Sequence, residues 1–100
     1  MSLNDEERAR TGAELRANLE LCGASPLEVR TELGLGEEAF RAALDCGEAS
    51  RPQDVWLLRD HLEERVRARG GRPVPYTVLT ERMRAAAGVW FGVRRPPRRG

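Results

Sequence analysis

Signals that start and stop helices follow one another at short intervals along this chain, and they leave room only for short helices. Asn4 before three acidic residues, Ser25 before Pro26, and Pro52 after Ser50-Arg51 each favour the start of a helix. Glycines at positions 23, 34, 47, 70 and 71 favour the corresponding ends. Apolar residues recur at helical spacing between these signals. The pattern predicts an all-α, five-helix single domain.

The fifth predicted helix begins with Thr77 as its cap. Its expected core stripe comprises Leu79, Met83, Ala86 and Trp90. Arg82 and Arg84 flank this stripe, and we expect both to be solvated. The helical domain is predicted to span residues 1–93. Residues 94–100 form a basic tail of arginine and proline, which is not expected to be helical.

Residues 24–45 have the layout of a helix-turn-helix, in which two short helices meet at a corner that contains glycine. Gly34 provides the corner, and the second motif helix runs from Glu37 to Asp45. The apolar residues expected on the inner faces are Val29, Leu33, Leu35, Phe40 and Ala43. Arg30 stands where a close crossing of the helices usually requires alanine or glycine. Either the crossing is looser, or the arginine reaches outward.

The exposed side of the second motif helix decides whether the motif reads DNA. On that side Arg41 alone has a side chain that donates to a guanine or a phosphate. Glu37 and Glu38 would repel phosphates and are more simply explained as stabilising the helix N-terminus. The candidate DNA contacts are Arg41, Arg69, Arg72, Arg94, Arg95, Arg98 and Arg99. The alternative for the four tail arginines is a role in solubility.

Charge is distributed unevenly between the two halves of the chain. Residues 1–50 carry a net charge of −6, and residues 51–100 carry +7. A basic half indicates a nucleic-acid or acidic partner, or it packs against the acidic half of the same or a second copy. The sequence pI of 7.9 lies below the value of about 9 that is typical of dedicated nucleic-acid binders.

Two adjacent aromatic residues, Trp90 and Phe91, point about 100° apart on a helix, so one small core does not readily cover both. Partial exposure is one interpretation. The other is a homodimer contact, because aromatic side chains anchor interfaces.

Residues for catalysis or metal binding are few. Cys46 and His61 are a candidate nucleophile pair, but no third orienting group is evident. Cys22 would be a third metal ligand, but no paired cysteine spacing accompanies it. We therefore predict no enzyme activity, metal, cofactor or small-molecule substrate. The chain also lacks a membrane-spanning run and a signal-peptide pattern, which favours a cytoplasmic protein with free thiols.

Three segments, MSLNDEERARTGAELRANLELCG, DVWLLRDHL and PYTVLTERMRAAAGVWFG, resemble a family of small bacterial proteins of unknown function. The resemblance implies an all-helical fold like a helix-turn-helix protein and a bacterial cytoplasmic setting. It carries over no site residues.

Two functions follow as hypotheses. The first is a small, dimeric DNA-binding or transcription-accessory protein that is positioned on duplex DNA by Arg41 and held by the tail arginines. The second is a protein-interaction or homodimerisation module that does not bind DNA. The fold alone does not separate them.

Overall fold

Four complete helices and the start of a fifth form the part of the chain, residues 3–85, that the computed structural model describes. The helices are α1 (Asp5–Leu21), α2 (Pro26–Leu33), α3 (Glu37–Asp45) and α4 (Pro52–Ala68). Residues 81–85 are again helical, and residues 3–85 contain no strand. The prediction of an all-α single domain is confirmed.

The first two helices begin where their capping residues predict. Asn4 Oδ1 accepts from the Glu7 N–H at 2.7 Å, and Glu7 Oε1 accepts from the Asn4 N–H at 3.0 Å. Ser25 and Glu28 make the same reciprocal pair of hydrogen bonds at the start of α2. Each pair satisfies two N–H groups that would otherwise lack a partner, which fixes the first turn.

Left-handed residues end α2 and α3. Gly34 has φ +70°, and the Leu35 N–H then donates to the Arg30 carbonyl at 3.1 Å. Cys46 takes the corresponding position after α3, with φ +53°, so α3 has the predicted bounds Glu37–Asp45 but its left-handed cap is Cys46 rather than the expected Gly47. Because Gly34 turns the chain, residues 24–45 form two helices rather than one rod. A helix-turn-helix crossing between them remains a prediction.

The core lies between α1, α3 and α4, which pack on one another. Val55, Leu58, Leu62 and Val66 recur at helical spacing along α4, and all four are buried. Gly12 is buried where α1 approaches the end of α3, and a Cβ there would lie 3.2 Å from the Asp45 carbonyl oxygen. By contrast, α2 buries a single residue completely, Val29, and is peripheral to this core.

The prediction that Thr77 caps the fifth helix is wrong. The Thr77 N–H and hydroxyl both donate to the Glu14 carboxylate, at 3.2 and 2.7 Å. The preceding link is held to α1 by Asn18, which exchanges two hydrogen bonds with the Val74 backbone. Helical structure starts three residues later, where Thr80 Oγ1 accepts from the Met83 N–H at 3.2 Å. Residues 78 and 79 are buried in the core before the chain turns into that helix.

Candidate interaction face

A surface groove of about 360 Å³ lies between α1, α2 and α3, and we call it the α2–α3 groove. Phe40 and Leu44 line it and are almost fully buried. Leu27, in the first turn of α2, also lines it and is 59% exposed. A large apolar side chain is therefore left in water at the edge of a concave surface.

Three arginines line the same groove, and two of them are paired with acids. Arg41 Nη2 lies 3.0 Å from Glu37 Oε2, one turn away on α3, with both side chains about two-thirds exposed. Arg16 of α1 forms an ion pair with Asp45. Arg30 is half-buried and forms no ion pair with any residue between positions 3 and 85. Arg30 thus extends to the groove rather than into the core, which resolves the alternative that the sequence left open.

The arginines predicted to contact DNA have different settings. Arg41 lines the α2–α3 groove, whereas Arg69 Nη1 donates to the Leu21 carbonyl at the end of α1, at 2.8 Å. Arg72 lines another cleft, of about 580 Å³, beside Tyr76. Arg94, Arg95, Arg98 and Arg99, together with the predicted dimer contacts Trp90 and Phe91, lie outside the described residues.

One arginine of α4 is buried, which no pattern in the sequence predicted. Arg59 of α4 is only 5% exposed, and its guanidinium lies over the rings of Trp56 and Tyr76. Its Nε donates to the Leu79 carbonyl at 2.9 Å, and Nη1 donates to Asp60 and Glu63. In the sequence, the opposite charges of Arg59 and Glu63, four residues apart on α4, indicate an ion pair between them. That spacing does not reveal burial.

Arg84 joins the same cluster, so the expectation that it is solvated is wrong. Its two terminal nitrogens donate to both oxygens of Asp60 at 2.9 and 2.6 Å, and its guanidinium lies 4.9 Å from the Trp56 ring centre. Burial opposes ionisation of Asp60, but the hydrogen bonds from Arg84 and Arg59 outweigh it and hold the Asp60 pKa below its usual value. The cluster fastens residues 79–85 to α4.

The Tyr76 side chain closes the inner side of the larger cleft. Burial raises the pKa of Tyr76 to about 12, against the smaller opposing effects of the Asn18 amide and the Arg59 guanidinium. Its buried hydroxyl has no hydrogen-bond partner within residues 3–85. The charged side chains around Arg59, those of Asp60, Glu63 and Arg84, are already paired within the cluster, which indicates that it has a structural role.

His61 is bound to α2 rather than to a cysteine. Its Nε2 lies 2.6 Å from Glu32 Oε1, and Arg65 donates to the other Glu32 oxygen at 2.7 Å. Cys22 and Cys46 are free thiols and buried, and burial raises the pKa of Cys46. Across residues 3–85 no three histidine, cysteine or acidic side chains are grouped to hold a metal ion. The absence of enzyme activity remains a prediction.

Comparison with known proteins places the chain in a family. The family model of DUF2316, described as an uncharacterized protein conserved in bacteria, matches residues 1–92. The chain belongs to the DUF2316 family. This match confirms the resemblance to a small bacterial family of unknown function. No curated protein and no solved structure matches the chain. None of the helices described for this DUF2316 member is long and apolar enough to cross a membrane.

Proposed function

We propose that this DUF2316 protein is a protein-interaction module that binds its partner through the α2–α3 groove and does not read base sequence. The observation that carries the proposal is the Arg41–Glu37 ion pair. Arg41 is the side chain that a DNA-reading α3 requires, and here it is already paired with a carboxylate on its own helix. A phosphate would have to displace Glu37, and Glu38 beside it is exposed as well.

The net charge of the described residues supports the same proposal. Residues 3–85 contain thirteen arginines and sixteen acidic residues, a net charge of −3. Binding to duplex DNA gains most of its affinity from basic groups that neutralise phosphates. A net negative surface with an internally paired α3 suits a protein partner better.

Photo-crosslinking in bacterial cells tests the proposal. The full chain would carry p-benzoylphenylalanine in place of Leu27 or, as a control, in place of Leu57, another exposed leucine outside the groove. We expect a protein adduct at position 27 that nuclease treatment does not remove, and a much weaker one at position 57. An adduct twice the mass of the chain identifies a second copy as the partner. Equal adducts at both positions, or adducts that nuclease destroys, would refute the proposal.

Duplex-DNA binding is a second candidate function, supported by the four arginines after position 93. All the excess positive charge of the chain lies there, because residues 3–85 carry a net charge of −3. Binding to random duplex would be measured at about 50 mM and about 200 mM salt. This function predicts a salt-dependent affinity that disappears when Arg94, Arg95, Arg98 and Arg99 are changed to serine. A loss caused by Arg41→Ala would instead show that α3 reads DNA.

A further inference from the structure

We infer that the α2–α3 groove binds an acidic segment of a partner protein, in which a carboxylate side chain lies beside an apolar one. This inference rests on the proposed interaction function and names the chemistry of the partner. The groove combines apolar surface with one arginine, Arg30, that has no ion-pair partner among residues 3–85. The apolar surface selects the apolar side chain of the segment, and Arg30 selects its carboxylate.

The apolar component comes from Leu27 above Phe40 and Leu44. Leu27 is the most exposed of the large hydrophobic residues in the described part of the chain. Phe40 and Leu44 retain 6% and 7% exposure at the groove, so they offer a shallow apolar floor. An aliphatic side chain of a partner that lies on this floor would remove Leu27 from water, which is favourable.

The charged component is Arg30. Two acids line the groove, and each already has an arginine partner: Glu37 has Arg41, and Asp45 has Arg16. Arg30 is left as the net positive charge of the groove. Arg30 is a half-buried residue that lines the groove, and an arginine guanidinium is a planar fork of donors that matches a carboxylate.

The same arrangement disfavours nucleic acid in this groove. A phosphate backbone brings one negative charge per nucleotide and would meet Glu37 and Asp45 beside Arg30. It would also leave Leu27 without an apolar partner. A single carboxylate of a peptide, by contrast, brings one negative charge, which Arg30 can pair with.

The experiment uses two synthetic helical peptides as probes and the full-length ¹⁵N-labelled protein. Both peptides carry leucines at i and i+4, and they are identical except that one has glutamates and the other lysines beside the leucines. We expect the glutamate peptide to shift amide resonances of α2 and α3 and to bind about tenfold more tightly than the lysine peptide. Arg30→Glu should reverse this preference, and Leu27→Asp should weaken binding of both peptides.

Matched substitutions outside the groove serve as controls. Arg82→Glu makes the same charge change on an exposed arginine outside the groove, and Leu57→Asp makes the same polarity change on an exposed leucine outside it. Neither should alter peptide affinity. If Arg30→Glu unfolds α2, as judged by circular dichroism, Arg30→Gln removes the charge alone and should abolish the preference for glutamate.

Several results would overturn the inference: no binding of either peptide, equal binding of both, shifts centred away from α2 and α3, or equal effects of Arg30→Glu and Arg82→Glu. Tight binding of duplex DNA that competes with the peptide at these residues would assign the groove to nucleic acid instead. If crosslinking at position 27 captures a protein while the peptides fail, the proposed function stands and only the partner chemistry is refuted. Failure of the crosslink refutes the proposed function itself.

Discussion

Glu32 on α2 accepts hydrogen bonds from two residues one turn apart on α4, His61 and Arg65. These bonds are a polar clamp between the two helices. An eight-residue helix is not stable by itself in water, so α2 depends on tertiary contacts. Val29, which is fully buried, and Leu33, which packs against the core, hold α2 by apolar contacts, and the clamp adds a polar contact that helps to keep α2, and with it the groove, in place.

Removing the clamp should destabilise the protein in a pH-dependent way. The hydrogen bond from His61, followed by the charge and hydrogen bond of Arg65, holds the Glu32 pKa below its usual value of 4.5 against a smaller effect of desolvation. A carboxyl whose pKa is lowered on folding adds stability above its unfolded pKa and loses it as pH falls through the folded value. Glu32→Gln should therefore lower the free energy of unfolding at neutral pH, and the difference from the natural chain should shrink as the solution is acidified.

Urea unfolding from about pH 7 to about pH 3 measures this difference. Glu64→Gln is the control, because Glu64 is an exposed carboxylate on α4 that forms no ion pair within residues 3–85. Its effect should be small at every pH. A Glu32→Gln effect that is constant or grows towards low pH would show that the ion pair contributes nothing.

Loss of the buried arginine should cost far more than loss of the one predicted to read DNA. Arg59→Ala leaves Asp60 and Glu63 with fewer partners, frees the Leu79 carbonyl and opens space between two aromatic rings. We expect a loss of about 3 kcal/mol in the free energy of unfolding. Arg41→Ala breaks an exposed ion pair within one helix and should cost about 0.5 kcal/mol or less. Chemical denaturation of the two variants compares them directly, and similar losses would contradict the structural role assigned to Arg59.

The glycines at positions 23 and 34 should respond differently to the same substitution. Both have positive φ, +78° and +70°, so alanine at either position costs about 1 kcal/mol of backbone strain. At Gly34 a Cβ would meet nothing within 4 Å, whereas at Gly23 it would lie 2.6 Å from Arg69 Nη1. Gly23→Ala should therefore also displace Arg69 from the end of α1 and cost more than Gly34→Ala.

Thermal unfolding of the two glycine variants, alone and combined with Arg69→Ala, isolates that extra cost. With Arg69 truncated, the two alanine substitutions should be about equally destabilising. A Gly23→Ala penalty that persists without Arg69 would place its origin in the backbone alone.

Local sequence signals were sufficient for most of this fold. Asn4 and Ser25 cap helices because their hydrogen bonds are made to residues three positions away, and Gly34 stops α2 because its own conformation allows the turn. The α4 stripe is buried because its spacing leaves one apolar side. Each of these features depends on a few neighbouring residues, which the sequence displays.

Features that depend on distant residues were not predictable. Thr77 resembles a cap, but Glu14, 63 positions away, takes both of its donors. Helical periodicity predicts that Arg84 is exposed to solvent. In the structure it contacts Asp60 and Trp56, which come close to it because residues 79–85 fold onto α4. Arg30 likewise has no ion-pair partner among the residues that the structure describes, because Glu37 and Asp45 pair with Arg41 and Arg16 instead. A single sequence therefore does not show whether a charged residue is free to bind a partner.

The two thiols should resist modification until the protein unfolds. Cys22 and Cys46 are 1% and 4% exposed, and Cys22 Sγ donates to the Leu19 carbonyl at 3.1 Å. Burial also raises the pKa of Cys46, which lowers the fraction of reactive thiolate at neutral pH. We expect a disulfide reagent to react about 100-fold more slowly with the native chain than with the urea-unfolded chain. Cys22→Ala and Cys46→Ala variants show which cysteine gives each phase of the labelling reaction. Rapid labelling of either cysteine in the native protein would show that the structure around it opens locally.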